Sequence, residues 1–208
     1  MANLQTRLIT GLLVLLSMFF VPFASATTLE SVQKQLASQS VIRGQFEQIR
    51  NMEMFKQPLT STGVFLIAKG KGLLWKQAKP FPVTLVLTED KLSQTFGDQP
   101  PKVMTSEDNP MAFYFSHLFL DLFQGNTAQL DGKFTRTFHA EQEAWTLQLV
   151  PNTAPLNKVF ASIVISGKEY IDAIELTEVR GDITTIQFSE QTSQPSVLSS
   201  HEESAFQF

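Results

Sequence analysis

The chain has no cysteine in its 208 residues. That excludes a disulfide framework, a thiolate nucleophile and any cysteine metal ligand. Charge is also scarce: charged residues make up 17% of the sequence, against roughly 25% in ordinary globular domains. The 16 Lys and Arg face 20 Asp and Glu, for a net charge of −4. No basic patch or arginine-rich stretch stands out, so a nucleic-acid footprint is not expected. Histidine occurs only as His117, His139 and His201, and no two of these stand at metal-ligand spacing. There is no G-x-S-x-G elbow, no phosphate-cradling glycine loop and no H-E-x-x-H. The acidic pairs Glu89/Asp90, Glu107/Asp108 and Glu202/Glu203 fall in predicted turns, where solvent accounts for them. The reading is of a protein that is not an enzyme and holds neither metal nor cofactor.

Long apolar runs are rare as well, and the one present opens the chain. Arg7 precedes an apolar stretch from Leu8 to Phe23, which ends in Ala24-Ser25-Ala26. A basic n-region, an apolar h-region and a small-x-small end describe a secretory signal peptide cut before Thr27. The run is about 16 residues long and carries Pro22, short of the roughly 20 that a spanning helix needs. Residues 1–26 are therefore expected to be removed, and 27–208 to form one domain in the periplasm. No cysteine follows the h-region, so the exported chain is expected to carry no lipid anchor of its own and to be soluble. The inferred compartment has no ATP, so work done there must run on binding energy or on a partner.

What the chain has in quantity is phenylalanine, 18 residues of it. Either a well-filled core or an apolar cavity for a greasy ligand would use them. Thr27-Thr28-Leu29-Glu30 opens a helix to near Ser40. Thr27 or Thr28 caps it, and Glu30 completes a capping box if Thr27 is the cap. Leu29, Val32 and Leu36 form its narrow apolar stripe. From Val41 the apolar period becomes two. Strands are expected at Val41–Asn51, Gly63–Lys69, Gly72–Lys76, Pro82–Thr88, Leu92–Phe96, Ala128–Leu130, Lys133–His139, Ala144–Val150, Phe160–Ser166, Tyr170–Val179 and Ile183–Glu190. A short last strand is expected at Ser204–Phe208, after a polar loop from Thr192 to Glu203. Turn signals such as Lys69-Gly70-Lys71-Gly72, Asp131-Gly132 and Arg180-Gly181-Asp182 join them as hairpins. The pattern predicts a mainly β protein: an incomplete antiparallel barrel of about eleven strands.

One helix interrupts the meander. It starts at Asn109-Pro110-Met111, runs to Gln124 and stops at Gly125, with proline at its first turn and glycine just past its end. It is apolar nearly all round, broken by Ser116, His117, Asp121 and Gln124. Such a helix must be buried on most sides, and the barrel mouth or lumen is the simplest place for it.

Several pieces, in order, resemble the LolA family of periplasmic lipoprotein carriers. They are Arg43-Gly44-Gln45-Phe46-Glu47-Gln48, then Ser61-Thr62-Gly63-Val64-Phe65 with Gly72-Leu73-Leu74-Trp75-Lys76, and the helix at Asn109-Pro110-Met111. Trp145 to Pro151, Gly181 to Phe188 and Phe206-Gln207-Phe208 follow. The resemblance covers essentially the whole of residues 27–208. It implies an incomplete barrel closed by helices around a hydrophobic cavity for acyl chains. It implies a monomeric carrier whose cargo is an acylated lipoprotein or other lipid, with an inner-membrane donor complex and an outer-membrane acceptor. Lining residues are then expected among Phe46, Phe65, Trp75, Leu85, Leu87 and Phe96, and lid residues among Met111, Phe115, Leu118 and Leu122. A one-residue slip in a strand would exchange its faces.

Two departures from the family pattern stand out. Family members latch the lid with an arginine before a proline, whereas Lys79 precedes Pro80 here and lacks the planar fork. The chain also ends at Phe208, where typical carriers continue into a short tail linked to keeping off membranes. A dedicated accessory carrier for a lipid or polyene of a biosynthetic pathway, or a lipid-sensing periplasmic regulator, would fit the same cavity.

Overall fold

A computed structural model describes residues 27–126, 130 and 132–208. The expected signal peptide lies outside the described residues, as does all but Leu130 of the expected strand Ala128–Leu130.

Eleven strands form one antiparallel sheet: β1 (Val41–Asn51), β2 (Leu59–Ala68), β3 (Gly72–Lys79), β4 (Val83–Leu87), β5 (Lys91–Phe96), β6 (Lys102–Thr105), β7 (Phe134–Glu141), β8 (Ala144–Pro151), β9 (Phe160–Gly167), β10 (Ile171–Glu178) and β11 (Ile183–Thr192). Their spatial order is β6-β5-β4-β3-β2-β1-β11-β10-β9-β8-β7. Consecutive strands are neighbours except β6 and β7, and the pairing of β1 with β11 joins the two halves in the middle. The sheet is not closed: β6 and β7 are its two edges. The helices among the described residues are α1 (Leu29–Ala37), α2 (Pro110–Phe123) and two short ones, α3 (Leu156–Val159) and α4 (Ser200–Ser204). α2 stands in the chain between the two edge strands.

Local chemistry accounts for the helix ends. Thr28, not Thr27, caps α1, and the reciprocal bond of its capping box comes from Ser31. Glu30 instead pairs with Lys34 at 2.8 Å on the exposed face. Asn109 caps α2 by accepting from the Ala112 N–H at 3.1 Å, with Pro110 at the first turn. At its far end Gly125 has φ +66, and a Cβ there would stand 2.2 Å from the Gln33 carbonyl of α1. Only glycine lets the two helices approach so closely.

Two expectations about strands are corrected. β6 was not foreseen: Lys102–Thr105 is four residues of mostly exposed edge with no apolar alternation to mark it. The expected last strand Ser204–Phe208 does not exist. Ser199 and Glu202 form a reciprocal capping box that starts α4 instead, the S-x-x-E signal of a helix start.

The two sheet faces are covered differently. On the concave face Ile42, Phe46, Phe65, Ile67, Leu73 and Leu87 join residues of α1, α2 and β8–β11 in the main core. On the convex face Val41, Leu66, Ala68, Leu74 and Val86 form a smaller core, covered by Leu198, Ala205 and Phe206 of the C-terminal segment. Adjacent residues of β1 to β4 thus alternate between the two cores, as strand geometry requires.

Candidate functional site

The concave face is organised around aromatic rings. Phe46 of β1 and Trp75 of β3 stack with centroids 3.6 Å apart. Phe188 of β11 meets Phe65 edge-on at 5.0 Å and Trp75 at 6.3 Å. Backbone pairing sets this up: Phe46 is opposite both Gly63 and Phe188, Phe65 is opposite both Gly44 and Trp75, and Trp75 is opposite Leu85. The two glycines permit close approach, Gly44 by the Phe65 ring and Gly63 by the β3 backbone. A Cβ on Gly44 would come within 2.8 Å of the Phe65 ring, and one on Gly63 would collide with the Lys76 carbonyl. Glycine inside a strand commonly marks such a close approach.

α2 inserts its C-terminal half into this cluster. Phe123, 1% exposed, meets Phe188 edge-on at 5.2 Å, Phe65 at 6.2 Å and Phe119 at 4.8 Å. Further toward the N-terminus, Phe115 meets Phe160 of β9 edge-on at 5.2 Å. One helix therefore touches β2, β9 and β11 through rings alone. Its polar residues stay at the periphery: His117 lies beside the Phe113 ring, Asp121 accepts from Asn126 at 3.0 Å, and Lys133 sits 5.4 Å over the Tyr114 ring. No helix among the described residues is long and apolar enough to cross a membrane.

Little space remains inside. A cavity of about 20 Å³ lies under α1 and α2, lined by Leu29, Val32, Leu36, Leu122 and Trp145 among others. Sites for small apolar ligands are typically about 300–1,000 Å³. Between α1, α2 and the sheet the space is thus filled by the protein's own side chains, while two larger and more polar openings flank α2: one of about 350 Å³ lined by Tyr114, His117, Leu118, Asp121 and Lys133, and one of about 270 Å³ where His117, Leu120, Asp121 and Gln124 face Gly70, Lys71, Gly72 and Glu89.

All six expected lining residues fall on one face by register. Phe46, Phe65 and Leu87 are buried, and Trp75 and Leu85 are half-buried against the main core. Phe96 shares the face, opposite Val83, but stands at the end of β5 and is 46% exposed. Of the expected lid residues, Leu118 and Leu122 are buried, Phe115 is half-buried and Met111 is 38% exposed at the first turn. Lys79 ends β3 opposite Thr62, exposed. Its ammonium meets no hydrogen-bond or ion-pair partner among the described residues, so it holds no lid in this structure.

Sequence reading missed the rings that join helix to sheet: Phe123, Phe119, Phe160 and Phe188. Their signal was weak. Phe119 and Phe123 are i, i+4 on a helix apolar all round, so periodicity singled out no face.

A charged cluster closes one end of the sheet. Arg180 donates to Glu178 at 2.9 Å and to Asp182 at 3.0 Å, and Arg50 donates to Glu178 at 3.1 Å. Asp182, 5% exposed, also accepts from the Glu53 N–H at 3.2 Å. Each carboxylate is matched by arginine, which fits a structural clamp rather than an acid–base pair. Among the described residues no group of three or more His, Asp or Glu could hold a metal ion.

An open antiparallel sheet whose apolar concave face is plugged by a helix defines a class of small apolar-interior binding domains. The chain belongs to the LolA family: the family model described as outer membrane lipoprotein carrier protein LolA matches residues 37–208. Among solved structures the chain is similar to MucB, with 12% identity and a TM-score of 0.52, over 84% of this chain and 62% of that one. It also matches a putative outer membrane lipoprotein-sorting protein domain from Vibrio parahaemolyticus, with 12% identity and a TM-score of 0.47, over 86% and 97% of the two chains. For a LolA superfamily protein from Nitrosomonas europaea the figures are 8% and 0.42, over 80% and 94%. At these identities the structural likeness concerns the fold alone. Comparison with curated proteins by sequence gives no significant match.

Proposed function

We propose that this protein is a periplasmic carrier. It shields the acyl chains of a lipoprotein or related lipid against its concave face and moves them from the inner to the outer membrane. Residues 1–26 act as its export signal, and it works as a monomer without enzymatic chemistry or cofactor.

The observation that supports this best is the ring-to-ring seating of α2. A helix held by apolar contact can be replaced by another apolar group at little net cost, because such contact is non-directional. A buried methylene contributes about 0.8 kcal/mol, so an acyl chain of about 14 methylenes offers roughly 11 kcal/mol before costs. That gain keeps the chain out of water and competes with the apolar contacts that seat α2. Phe46, Phe65, Trp75, Leu85 and Leu87 then line the cavity, with Phe96 at its end. Phe115, Leu118 and Leu122 act as the lid's inner face.

Native mass spectrometry of protein purified from its own host's periplasm tests the reading. Adducts of acylated lipoprotein support the general carrier. Adducts of free fatty-acyl or polyene lipid move the reading to a dedicated accessory carrier. Protein that is empty and takes up no added lipid contradicts both. Leu118→Glu places a charge on the lid's inner face and is expected to abolish lipid retention while leaving the fold soluble. Unchanged loading in that variant contradicts the lid assignment.

A further inference from the structure

Half of the large exposed apolar side chains among the described residues gather at one end of the sheet. The β1–β2 loop carries Met54, 81% exposed, and Phe55. Leu59 begins β2, Phe81 (58% exposed) sits between β3 and β4, Phe96 ends β5, and Val179 follows β10. Register places these together: Arg50 pairs with Leu59, Thr62 with Lys79, Val83 with Phe96 and Asn51 with Ile183. The Gly97 N–H donates to the Pro82 carbonyl at 2.9 Å, tying the Phe96 end to the Phe81 turn.

Two loop tips share one pattern, in which a bulky exposed phenylalanine lies beside a lysine with no partner among the described residues: Phe55 with Lys56, and Phe81 with Lys79. Neighbouring acids are held back. Glu178 and Asp182 are paired with arginines, and the Glu53 carboxylate packs where a Cβ of Gly181 would stand. Asp98, exposed next to Gly97 in the β5–β6 connection, is an acid at this end that no arginine pairs among the described residues. An aromatic with an adjacent lysine is the composition of an interfacial anchor, with the ring among acyl chains and the ammonium at lipid phosphate. The rim is also continuous with the concave face, since Phe96 shares that face with Leu85 and Leu87.

We propose that this rim docks on a phospholipid bilayer, so that the carrier meets its cargo at the membrane surface with the open end of its apolar face turned to the lipid. The inference rests on the carrier reading for its purpose, but not for its test.

The test is flotation of the protein, produced from the full chain, with vesicles of phosphatidylethanolamine and phosphatidylglycerol at low salt. Mass spectrometry first establishes that parent and variants share the same N-terminus. The parent is expected to float. Combined Phe55→Ser and Phe81→Ser should lower the bound fraction by about tenfold or more, since two rings lose apolar transfer. Combined Lys56→Gln and Lys79→Gln should lower it severalfold. Val197→Ser removes a side chain that is 69% exposed in the C-terminal segment, and should change nothing. A parent that stays at the bottom, rim variants that float like the parent, or Val197→Ser losing as much would overturn the proposal. Leu118→Glu separates the two readings: it should lose cargo yet still float. Rim variants should still bind detergent-solubilised lipid. Vesicle docking by a parent that never takes up lipid would leave the rim proposal standing and the carrier reading contradicted.

Discussion

The two faces of the same sheet are held by different physics. On the concave side α2 is seated by rings: Phe123 among Phe65, Phe119 and Phe188, and Phe115 on Phe160. On the convex side the C-terminal segment covers small aliphatics and is tied by a directed polar clamp. Arg43 donates to Glu202 through Nε at 2.6 Å and Nη2 at 2.9 Å, to the Pro195 carbonyl at 2.7 Å and to the Val197 carbonyl at 3.0 Å. Glu202 accepts in turn from the Ser199 N–H at 2.7 Å and the Ser199 hydroxyl at 2.9 Å. A bidentate guanidinium–carboxylate pair demands one geometry, whereas apolar contact accepts any shape that fills the space. On the proposed carrier reading, the difference separates a cover built to stay from a cover that cargo displaces.

The largest way to break this comparison is at Phe123. Phe123→Ala removes the ring that anchors α2 and is expected to cost about 3–5 kcal/mol of stability, measured by urea unfolding. It should also raise the exchange rates of α2 amides more than those of α4. Equal loosening of both elements would contradict the distinction.

Next in size is the clamp. Glu202→Gln leaves Arg43 facing a neutral amide and should cost about 2 kcal/mol. Proteolysis or amide exchange should show loosening in residues 194–208, with lipid loading unchanged. Loss of loading in this variant would mean that the two faces are not independent.

The same clamp sets a pH dependence. Hydrogen bonds from Arg43, then from the Ser199 backbone and hydroxyl, hold Glu202 at about 2, below its ordinary 4.5. A depressed carboxyl stabilises the fold fully above its unfolded value, and that stabilisation is lost as pH falls from 4.5 toward 2. The side chain is 20% exposed, so the loss is expected to be about 1–3 kcal/mol after solvent screening. Unfolding midpoints measured across that range should show the loss in the parent and not in Glu202→Gln.

The smallest effect is expected at Lys79. It is exposed and unpaired among the described residues, so Lys79→Ala should change stability by no more than about 0.5 kcal/mol and leave lipid release unchanged. Faster release would restore a latch that this structure does not contain.

What the sequence made legible follows from how strongly each residue constrains its neighbours. β1 was readable because one register buries both Ile42 and Phe46. α2 was readable from Asn109-Pro110 and Gly125, which act locally. β6 was not, because four edge residues bury almost nothing. The C-terminal strand failed because Phe206-Gln207-Phe208 alternates like a strand, while the reciprocal Ser199–Glu202 capping box immediately before it dictates a helical turn. Phe206 then packs across the convex face rather than along an edge. That Phe46, Phe65 and Trp75 share one face of the sheet was legible. What no periodicity reports is that Gly44 leaves room for the Phe65 ring and Gly63 lets the β3 backbone approach, since both clashes are with neighbouring strands.

The central claim is that α2 must leave its seat for an acyl chain to enter. The absence of native cysteine makes it directly testable. Cysteines introduced in place of Phe115 and Phe160 can be joined by a short thiol cross-linker that is cleaved by reduction, and uptake of a fluorescent fatty acid measured before and after. The account predicts no uptake by the joined protein and recovery on cleavage. Equal uptake in both states would show that the cargo binds elsewhere and that α2 is simply core.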